Sequence, residues 1–444
     1  MSLIRLGFWA ASGSGGVNYW LASIGGTGDD IGQSLDFDSD KNSYSFGYTD
    51  SYGSGLDDLL LVKRDLEGAV QWQRSLGGLS NDQGQAIAID SSNNIYVAGN
   101  TKSDGPGNDA LTLAKYNTSG TIQFQRALGG SDGEQANAIA IDSSGSVYVA
   151  GITTSQGEGS YDILLAKYNN LGTLQWQRIL GGTGVEWASG LSIDSEDNVY
   201  VAGWTTSQGQ GGDDALLAKY NSSGTIQWQR ILGGTGTDDN GASIVFDSSN
   251  NVYVGGRTDS EGQGSRDFLL IKYNSAGVLQ WQKIFGGTGN DQGLSIAIDS
   301  SDYVYMTGRF SSSGEGSNDF PIVKFNSSGV LQFQRTLGGT GNDFALSIAI
   351  NSGAIHVLGY SDSTGEGLND MLLAKLPQDG SLTGTYILDG VNIVYAASSL
   401  TAATSTLTAA TSTLTAATSS LTSETTTLTA ATPTLTSHFV EIPA

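Results

Sequence analysis

Several residue types are missing or scarce in this chain, and each absence excludes a class of protein. The 444 residues include no Cys, two His and five Pro. Without Cys there is neither a disulfide framework nor a zinc–thiolate site. The two histidines, His356 and His438, give no recognisable nucleophile–base arrangement, so we predict no catalytic residues and no enzyme activity. No apolar run reaches the 18 residues that a transmembrane helix requires.

Positive charge is also scarce, because 20 Lys and Arg stand against 44 Asp and Glu, for a net charge of −24. Such a surface repels phosphate backbones and anionic lipid headgroups, so we expect neither nucleic acid nor membrane insertion. Cations, basic protein surfaces and uncharged glycans remain open, as does a role of the charge in solubility alone. The apolar run in the first twelve residues is too short for a secretory signal.

The chain is rich in glycine, with 63 residues, and it repeats. Motifs such as QWQRILGG recur with an aromatic residue at one point, spaced 52, 52, 52, 52, 53 and 52 residues apart. These repeat-defining structural residues are Trp20, Trp72, Phe124, Trp176, Trp228, Trp281 and Phe333. A period of this length indicates a propeller, a solenoid or another repeat array.

Each repeat contains four short strand candidates, at 243–247, 251–256, 267–273 and 278–283 in one copy, and no long amphipathic helix. We therefore predict an all-β, seven-bladed β-propeller of four-stranded antiparallel blades, with a β-helix solenoid as the lesser alternative. The predicted parts are an N-terminal arm (1–16), the propeller (17–390) and a low-complexity assembly or anchoring tail (391–444). The strand at Trp20 is expected to close the ring, in preference to the degenerate copy at 380–390.

The units KYNSSGTIQWQRILGGTG and AIDSSNNIYVAG resemble the repeats of the seven-bladed β-propeller repeat (SBBP) family over about residues 17–390. This resemblance implies the fold and says little about function. The opening MSLIRLGFWAASG resembles, more weakly, the start of tailed-bacteriophage structural proteins. Together the resemblances imply a virion protein of the tail fibre, baseplate or capsid decoration, released by cell lysis, that serves protein–protein interaction and host attachment.

Under this interpretation the partners are other virion proteins, bound through the terminal segments, and a host surface glycan or protein. The alternative is an adhesion or ligand-binding module that is extracellular or on the surface of a bacterium.

Few residues stand out as a site. Recurrent Asp residues such as Asp90 precede turns and are interpreted as scaffold, and His356 replaces a repeated Tyr in a strand. The recurrent basic residues Lys167, Arg178, Lys219 and Arg230 are expected to form local pairs. The weak binding candidates are Trp204, Asp213 and Asp214. No cofactor is expected, with Ca²⁺ as a weak exception at Asp36, Asp38 and Asp40, where a structural turn is favoured.

The tail has its own period, with a Leu at every seventh residue. These residues are Leu400, Leu407, Leu414, Leu421, Leu428 and Leu435. A coiled coil, an extended or β-like stalk, and a disordered or glycosylated tether all remain open. We predict an assembly element that docks on or intertwines with a partner, so that the protein is oligomeric in an assembly.

Overall fold

A computed structural model describes residues 18–105, 108–365 and 367–398, and six strands of the tail (401–404, 408–410, 415–418, 422–424, 429–431 and 436–442). The predicted N-terminal arm and the six heptad leucines lie outside these ranges. The described residues form seven antiparallel sheets, each with a core of four strands. The predicted all-β, seven-bladed propeller is therefore confirmed. The described chain contains no helix of the length and hydropathy needed to cross a membrane.

Each blade begins with a strand on the central channel and continues outward. The four strands of blades 1 to 3 are β2 (Asp30–Phe37), β3 (Ser43–Thr49), β4 (Asp58–Arg64) and β5 (Val70–Gly77); β6 (Asp82–Ile89), β7 (Ile95–Thr101), β8 (Ala110–Tyr116) and β9 (Ile122–Gly129); and β10 (Glu134–Ile141), β11 (Val147–Thr153), β12 (Asp162–Tyr168) and β13 (Leu174–Gly181). Those of blades 4 to 6 are β14 (Glu186–Ile193), β15 (Val199–Thr205), β16 (Asp214–Tyr220) and β17 (Ile226–Gly233); β18 (Asn240–Phe246), β19 (Val252–Thr258), β20 (Asp267–Tyr273) and β21 (Leu279–Gly286); and β22 (Gln292–Ile298), β23 (Val304–Arg309), β24 (Phe320–Phe325) and β25 (Leu331–Gly338).

Blade 7 joins the two ends of the propeller. Its inner strands are β26 (Asp343–Asn351), β27 (Ala354–Ser361) and β28 (Asp370–Pro377), and its fourth is the N-terminal β1 (Tyr19–Gly25). Trp20 lies opposite Lys375 in this pairing, which confirms the Trp20 strand as the closing strand. The degenerate copy instead supplies β29 (Gly384–Leu388), which pairs with β30 (Val391–Ala397) on the outer edge of blade 6.

The described tail strands lie around the rim of the propeller. They add one by one to the outer edges of blades 5, 4, 3, 2, 1 and 7, as β31 (Thr401–Thr404), β32 (Thr408–Ala410), β33 (Thr415–Thr418), β34 (Thr422–Glu424), β35 (Thr429–Ala431) and β36 (Thr436–Ile442). Each begins with a Thr opposite the Gly that ends a blade's fourth strand, as Thr401 lies opposite Gly286. Seven extended residues reach about 23 Å, so the seven-residue period is the step from one blade to the next.

The coiled-coil alternative is thus wrong for the described tail strands, and the β-like alternative holds. Their pairing is with blades of this same chain. The tail's role in assembly stays a prediction.

The core consists of layers between neighbouring blades. Tyr148 and Leu165 of blade 3, for example, pack with Val201 and Leu216 of blade 4, and all four are at most 1% exposed. The third strand of a blade is buried on both faces, which explains its nearly continuous apolar sequence. At roughly 25 cal/mol per Å² of buried apolar surface, this stacking is the main stabilising contribution.

A second contact between blades comes from the repeated aromatic–Arg motif on the fourth strand. Trp72 Nε1 donates to Thr118 O at 3.3 Å, and Arg74 Nε donates to Gly120 O at 2.9 Å in the next blade. The equivalent contacts of Arg126, Arg178, Arg230 and Arg335 recur around the ring. The local pairing expected of Arg178 and Arg230 is therefore wrong, because their guanidinium groups reach carbonyls of the neighbouring blade.

The predicted local pairing does hold for the two lysines. Lys167 lies 3.3 Å from Asp142, and Lys219 lies 3.5 Å from Asp194. Both acids end the first strand of their own blade, so each pair joins strands one and three within a blade. The recurrent Asp also holds the turn as expected, since Asp90 Oδ1 accepts the backbone N–H groups of Ser92 and Asn94 at 2.9 Å each.

Candidate functional site at the channel mouth

The channel mouth is the end of the ring at which the first strands begin, and a buried acidic residue braces each blade there. The carboxylate accepts the backbone N–H of the second Gly of the preceding Gly-Gly crossover at 2.6–2.8 Å, in all seven blades. These acids are Asp30, Asp82, Glu134, Glu186, Asp239, Asp291 and Asp343. Sequence reasoning missed this set, although an acid recurs four or five residues after each crossover.

A second set of buried acids begins the third strands. Asp214 is 1% exposed and accepts the Gln210 N–H at 3.0 Å. A Cβ placed on Gly233 would lie 1.7 Å from Asp214 Oδ1, so the crossover requires glycine for lack of space. Burial raises the pKa of Asp214 to about 6. The predicted binding candidate Asp214 is therefore part of the scaffold, with no exposed surface for a ligand, and we leave it out of the candidate site.

Between these repeated groups lie three positions per blade whose residues differ from blade to blade. One follows the bracing acid on the first strand, one lies opposite it on the second, and one precedes the third strand. In blade order these mouth positions hold Ile31, Tyr48 and Asp57; Gln83, Asn100 and Asp109; Gln135, Ile152 and Tyr161; Trp187, Trp204 and Asp213; Asn240, Arg257 and Arg266; Gln292, Arg309 and Asn318; and Phe344, Tyr360 and Asn369. Because the seven blades share one scaffold, these variable positions are the ones that distinguish one blade from another at the mouth, and we take them as the candidate site.

Side-chain pairs close the junctions between blades at the mouth, and their chemistry changes around the ring. Gln83 Nε2 donates to Asp57 at 2.6 Å, whereas the rings of Tyr161 and Trp187 meet at 5.8 Å. Other junction pairs are Asp109–Gln135 (3.1 Å), Asn318–Asn342 (2.8 Å) and Asp29–Asn369 (2.7 Å). The mouth therefore presents distinct polar, aromatic and charged parts rather than seven equal ones.

A pocket of about 440 Å³ opens at the mouth over blades 7, 1 and 2. Its lining comprises Asp29, Ile31, Gln33, Tyr48, Asp57, Gln83, Leu346, Tyr360 and Asn369. Burial raises the pKa of Tyr48 to about 12, with Asp57 adding to the effect, and burial also raises that of Tyr360. Both phenols are therefore neutral donors at neutral pH, and neither hydroxyl is hydrogen-bonded within the described ranges. The pocket offers aromatic faces together with unpaired hydroxyls and amide–carboxylate pairs.

An aromatic sector lies across the junction of blades 3 and 4. Trp187 and Trp204 stack with ring centroids 6.0 Å apart and planes within 5°, and the Tyr161 ring packs against Trp187. The predicted candidate Trp204 is thus half-buried at the mouth, with one face on Trp187. Its binding role stays a prediction, as does that of the half-buried Asp213, whose pKa is raised by burial and by the carboxylate of Asp238.

An arginine sector lies on blades 5 and 6. Arg257 Nε donates to Asp238 at 2.9 Å, and Arg266 forms a second ion pair with the same buried carboxylate. Arg309 stands over the Phe344 ring, with its guanidinium carbon 5.5 Å from the ring centroid. Sequence reasoning did not find these arginines, although they interrupt the repeat at equivalent or adjoining positions.

The weak Ca²⁺ candidates have structural partners. Asp36 Oδ2 accepts the Ile89 N–H at 2.7 Å, and Asp38 lies 3.3 Å from the ammonium of Lys63, while Asp40 is exposed. Asp38 is the blade 1 copy of the turn-holding acid. Within the residues that the structure covers, no group of three or more His, Asp or Glu side chains is arranged to hold a metal ion.

His356 lies inside blade 7, at 3% exposure, as a replacement for the repeated Tyr. Its ring packs edge-on against Phe37 at 4.7 Å and against Trp20 at 6.4 Å. Burial, together with the charge of Lys375, lowers the pKa of His356 to about 3. The residue is neutral and structural, as the sequence indicated.

Comparison with known proteins agrees with this architecture. Residues 71–106, 175–209 and 227–262 match the family described as SBBP, beta-propeller repeat. The chain carries SBBP repeats. Residues 197–226 of this SBBP propeller also match a β-propeller domain family of unknown function. The resemblance drawn from the repeat units is thereby confirmed.

Two curated relatives share about half of this chain. The mimivirus WD repeat-containing protein L264, from Acanthamoeba polyphaga mimivirus, is 24% identical over 290 residues, or 54% of this chain and 19% of its own length. The regulatory protein FlaEY of Caulobacter vibrioides is 26% identical over 304 residues, or 56% of this chain and 32% of its own length. The SBBP propeller thus matches less than a third of either relative.

The solved structure of one WD40 domain has a similar fold at low identity. The WD40 β-propeller domain of Doa1 superposes with a TM-score of 0.50 at 11% identity, covering 80% of this chain and 96% of that domain. A gluconolactonase from Xanthomonas campestris reaches a TM-score of 0.36 at 13% identity, covering 72% of this chain and 90% of that protein. At 11% identity, the likeness to the Doa1 domain concerns the fold alone.

Proposed function

We propose that the SBBP propeller is a non-catalytic binding protein that holds its ligand at the channel mouth. The observation that carries this proposal is that the mouth positions diverge while the acids bracing them repeat in every blade. The 440 Å³ pocket falls within the size range of ligand sites in proteins. Its two free phenol hydroxyls supply directional donors at a surface that is otherwise closed by paired side chains.

Binding is favoured over catalysis because the reactive groups at the mouth are already paired. The carboxylates of Asp57 and Asp29 are held by the amides of Gln83 and Asn369. His356, the histidine of the propeller, is buried inside blade 7. A general base needs an accessible group with a matched pKa, whereas fixed amide–carboxylate pairs are suited to recognising hydroxyl-rich surfaces.

For the biological setting, we propose a virion protein of the tail fibre, baseplate or capsid decoration, with a role in host attachment. The viral relative and the phage-like opening sequence support this placement. The alternative is a bacterial cell-surface binding module, and its support is that the relative FlaEY is a bacterial protein. Mass spectrometry of purified particles tests the choice, since a virion protein is recovered in stoichiometric amount and a cell-surface module is found with the envelope fraction.

The mouth itself is tested with the double variant Tyr48→Phe, Tyr360→Phe, which removes both free hydroxyls and keeps the rings. We expect binding of the labelled protein to cells of a bacterial strain panel, measured by flow cytometry, to weaken roughly fivefold per hydroxyl, which corresponds to about 1 kcal/mol each. The control is Gln227→Ala, an exposed residue near the opposite end of β17. Equal binding by wild type and double variant, or binding by neither, would contradict the proposal.

A further inference from the structure

Resting on the proposed binding function, we infer that the arginine sector receives a carboxylate of the ligand, and that the ligand is an acidic sugar. The argument starts from Arg309, at the C-terminal end of β23. Its Nε is buried and has no hydrogen-bond partner in the described part of the chain. In that same part of the chain, no carboxylate forms an ion pair with it. An Arg in this state has spare donors in the planar fork geometry that fits a carboxylate.

The surroundings of Arg309 hold its side chain in place without neutralising it. When the side-chain amide of Gln292 is turned so that its oxygen faces the two arginines, that oxygen accepts from Nη2 of Arg309 and from Nη1 of Arg266 at 2.8 Å each. The ring of Phe344 lies beneath the guanidinium. One neutral amide thus connects two cations, which fixes their positions and leaves the charge of Arg309 uncompensated.

Among the described residues, Arg309 is the arginine of this sector that forms no ion pair, so it is the group at which an incoming anion is favoured. Asp238 pairs with both Arg257 and Arg266. Burial lowers the pKa of Arg309, and the charges of Arg266 and Arg257 lower it further, with the opposing effect of Asp238 smaller than either. The other acids nearby, Asp213 and Asp259, act on Arg257 and Arg266 respectively. A carboxylate beside the guanidinium of Arg309 would relieve this repulsion.

The arginine sector is continuous with the pocket. The rings of Phe344 and Tyr360 stack at 5.0 Å, and Tyr360 lines the pocket with its free hydroxyl. The charge of Arg309 acts on Tyr360, where it opposes the burial that raises the phenol's pKa. A ligand whose carboxylate lies at Arg309 would therefore have hydroxyl-binding groups next to it, on the side of Arg309 that faces blades 7 and 1. This combination of an anion site beside amides, carboxylates and phenol groups selects a sugar acid over a simple anion.

Isothermal titration calorimetry with two probes, glucuronate and glucose, tests this inference, because they differ in the carboxylate alone. Wild-type protein is expected to bind glucuronate at least tenfold more tightly than glucose. Arg309→Gln should abolish the preference, so that the variant binds glucuronate and glucose with equal affinity. The matched control is Lys102→Gln, which removes one exposed positive charge on blade 2. Unchanged melting temperatures establish that both variants are folded.

Three outcomes would overturn the inference. They are equal binding of the two probes, equal loss of affinity in Arg309→Gln and Lys102→Gln, and no binding of either probe. The variant Tyr48→Phe, Tyr360→Phe separates this result from the proposed function. If it weakens both probes equally while wild type shows no preference for glucuronate, the mouth is the binding site and the carboxylate assignment is wrong. If it weakens neither glucuronate nor cell binding, the proposed function itself is wrong.

Discussion

Replacing His356 by Phe should remove an acid sensitivity from the propeller. The folded-state pKa of about 3 lies below the ordinary value of 6.5. Between these values the unfolded chain binds a proton that the native chain does not, so stability falls as pH falls through this window. At 1.4 kcal/mol per pH unit, the wild type should lose about 2 kcal/mol from this residue between pH 7.5 and pH 5. Phe keeps the edge contacts with Phe37 and Trp20 and has nothing to titrate.

The assay is urea denaturation followed by tryptophan fluorescence at pH 7.5 and pH 5, for both proteins. Other groups also titrate in this range, among them buried Asp residues whose raised pKa has the opposite effect, so the difference between variant and wild type is the quantity to compare. The matched control is Tyr96→Phe, the same strand position in blade 2, where the replaced phenol itself does not titrate below neutral pH because burial raises its pKa. A stability difference between His356→Phe and wild type that stays constant from pH 7.5 to 5 would refute the reasoning.

Three further predictions follow from the scaffold. Gly181→Ala should destabilise the fold by about 1–3 kcal/mol by overpacking, since its Cβ would lie 1.3 Å from Asp162 Oδ1. The control is Gly133→Ala, whose Cβ would have its nearest atom 3.5 Å away, and its urea denaturation midpoint should barely change. Arg178→Ala removes two hydrogen bonds to the next blade and should cost roughly 1–3 kcal/mol in the same assay, an effect absent if those contacts are incidental. Deleting 396–444 should leave a propeller with native circular dichroism that no longer assembles, as light scattering would show; normal assembly would rule out the predicted role of the tail.

Much of the fold could be predicted because it depends on short-range patterns. Alternation within each strand, the turns between strands and the 52-residue spacing of the aromatic residues are all local, and seven copies imply seven blades. The repeated Tyr at the position of His356 likewise identified that residue as structural. The candidate site could not be found this way, since Asp29 and Asn369 are 340 residues apart and meet only when the ring closes.

What the sequence by itself determined was the blade and the number of its copies, because each blade is built from one continuous stretch of 52 or 53 residues that repeats the same strands and turns. The tertiary structure alone decided where the repeated segments lie relative to one another. Closure made the seven-residue spacing of the described tail strands the step between blade edges, and it collected Arg257, Arg266 and Arg309 at one side of the mouth. Those outcomes depend on distances across the ring, which no local pattern encodes.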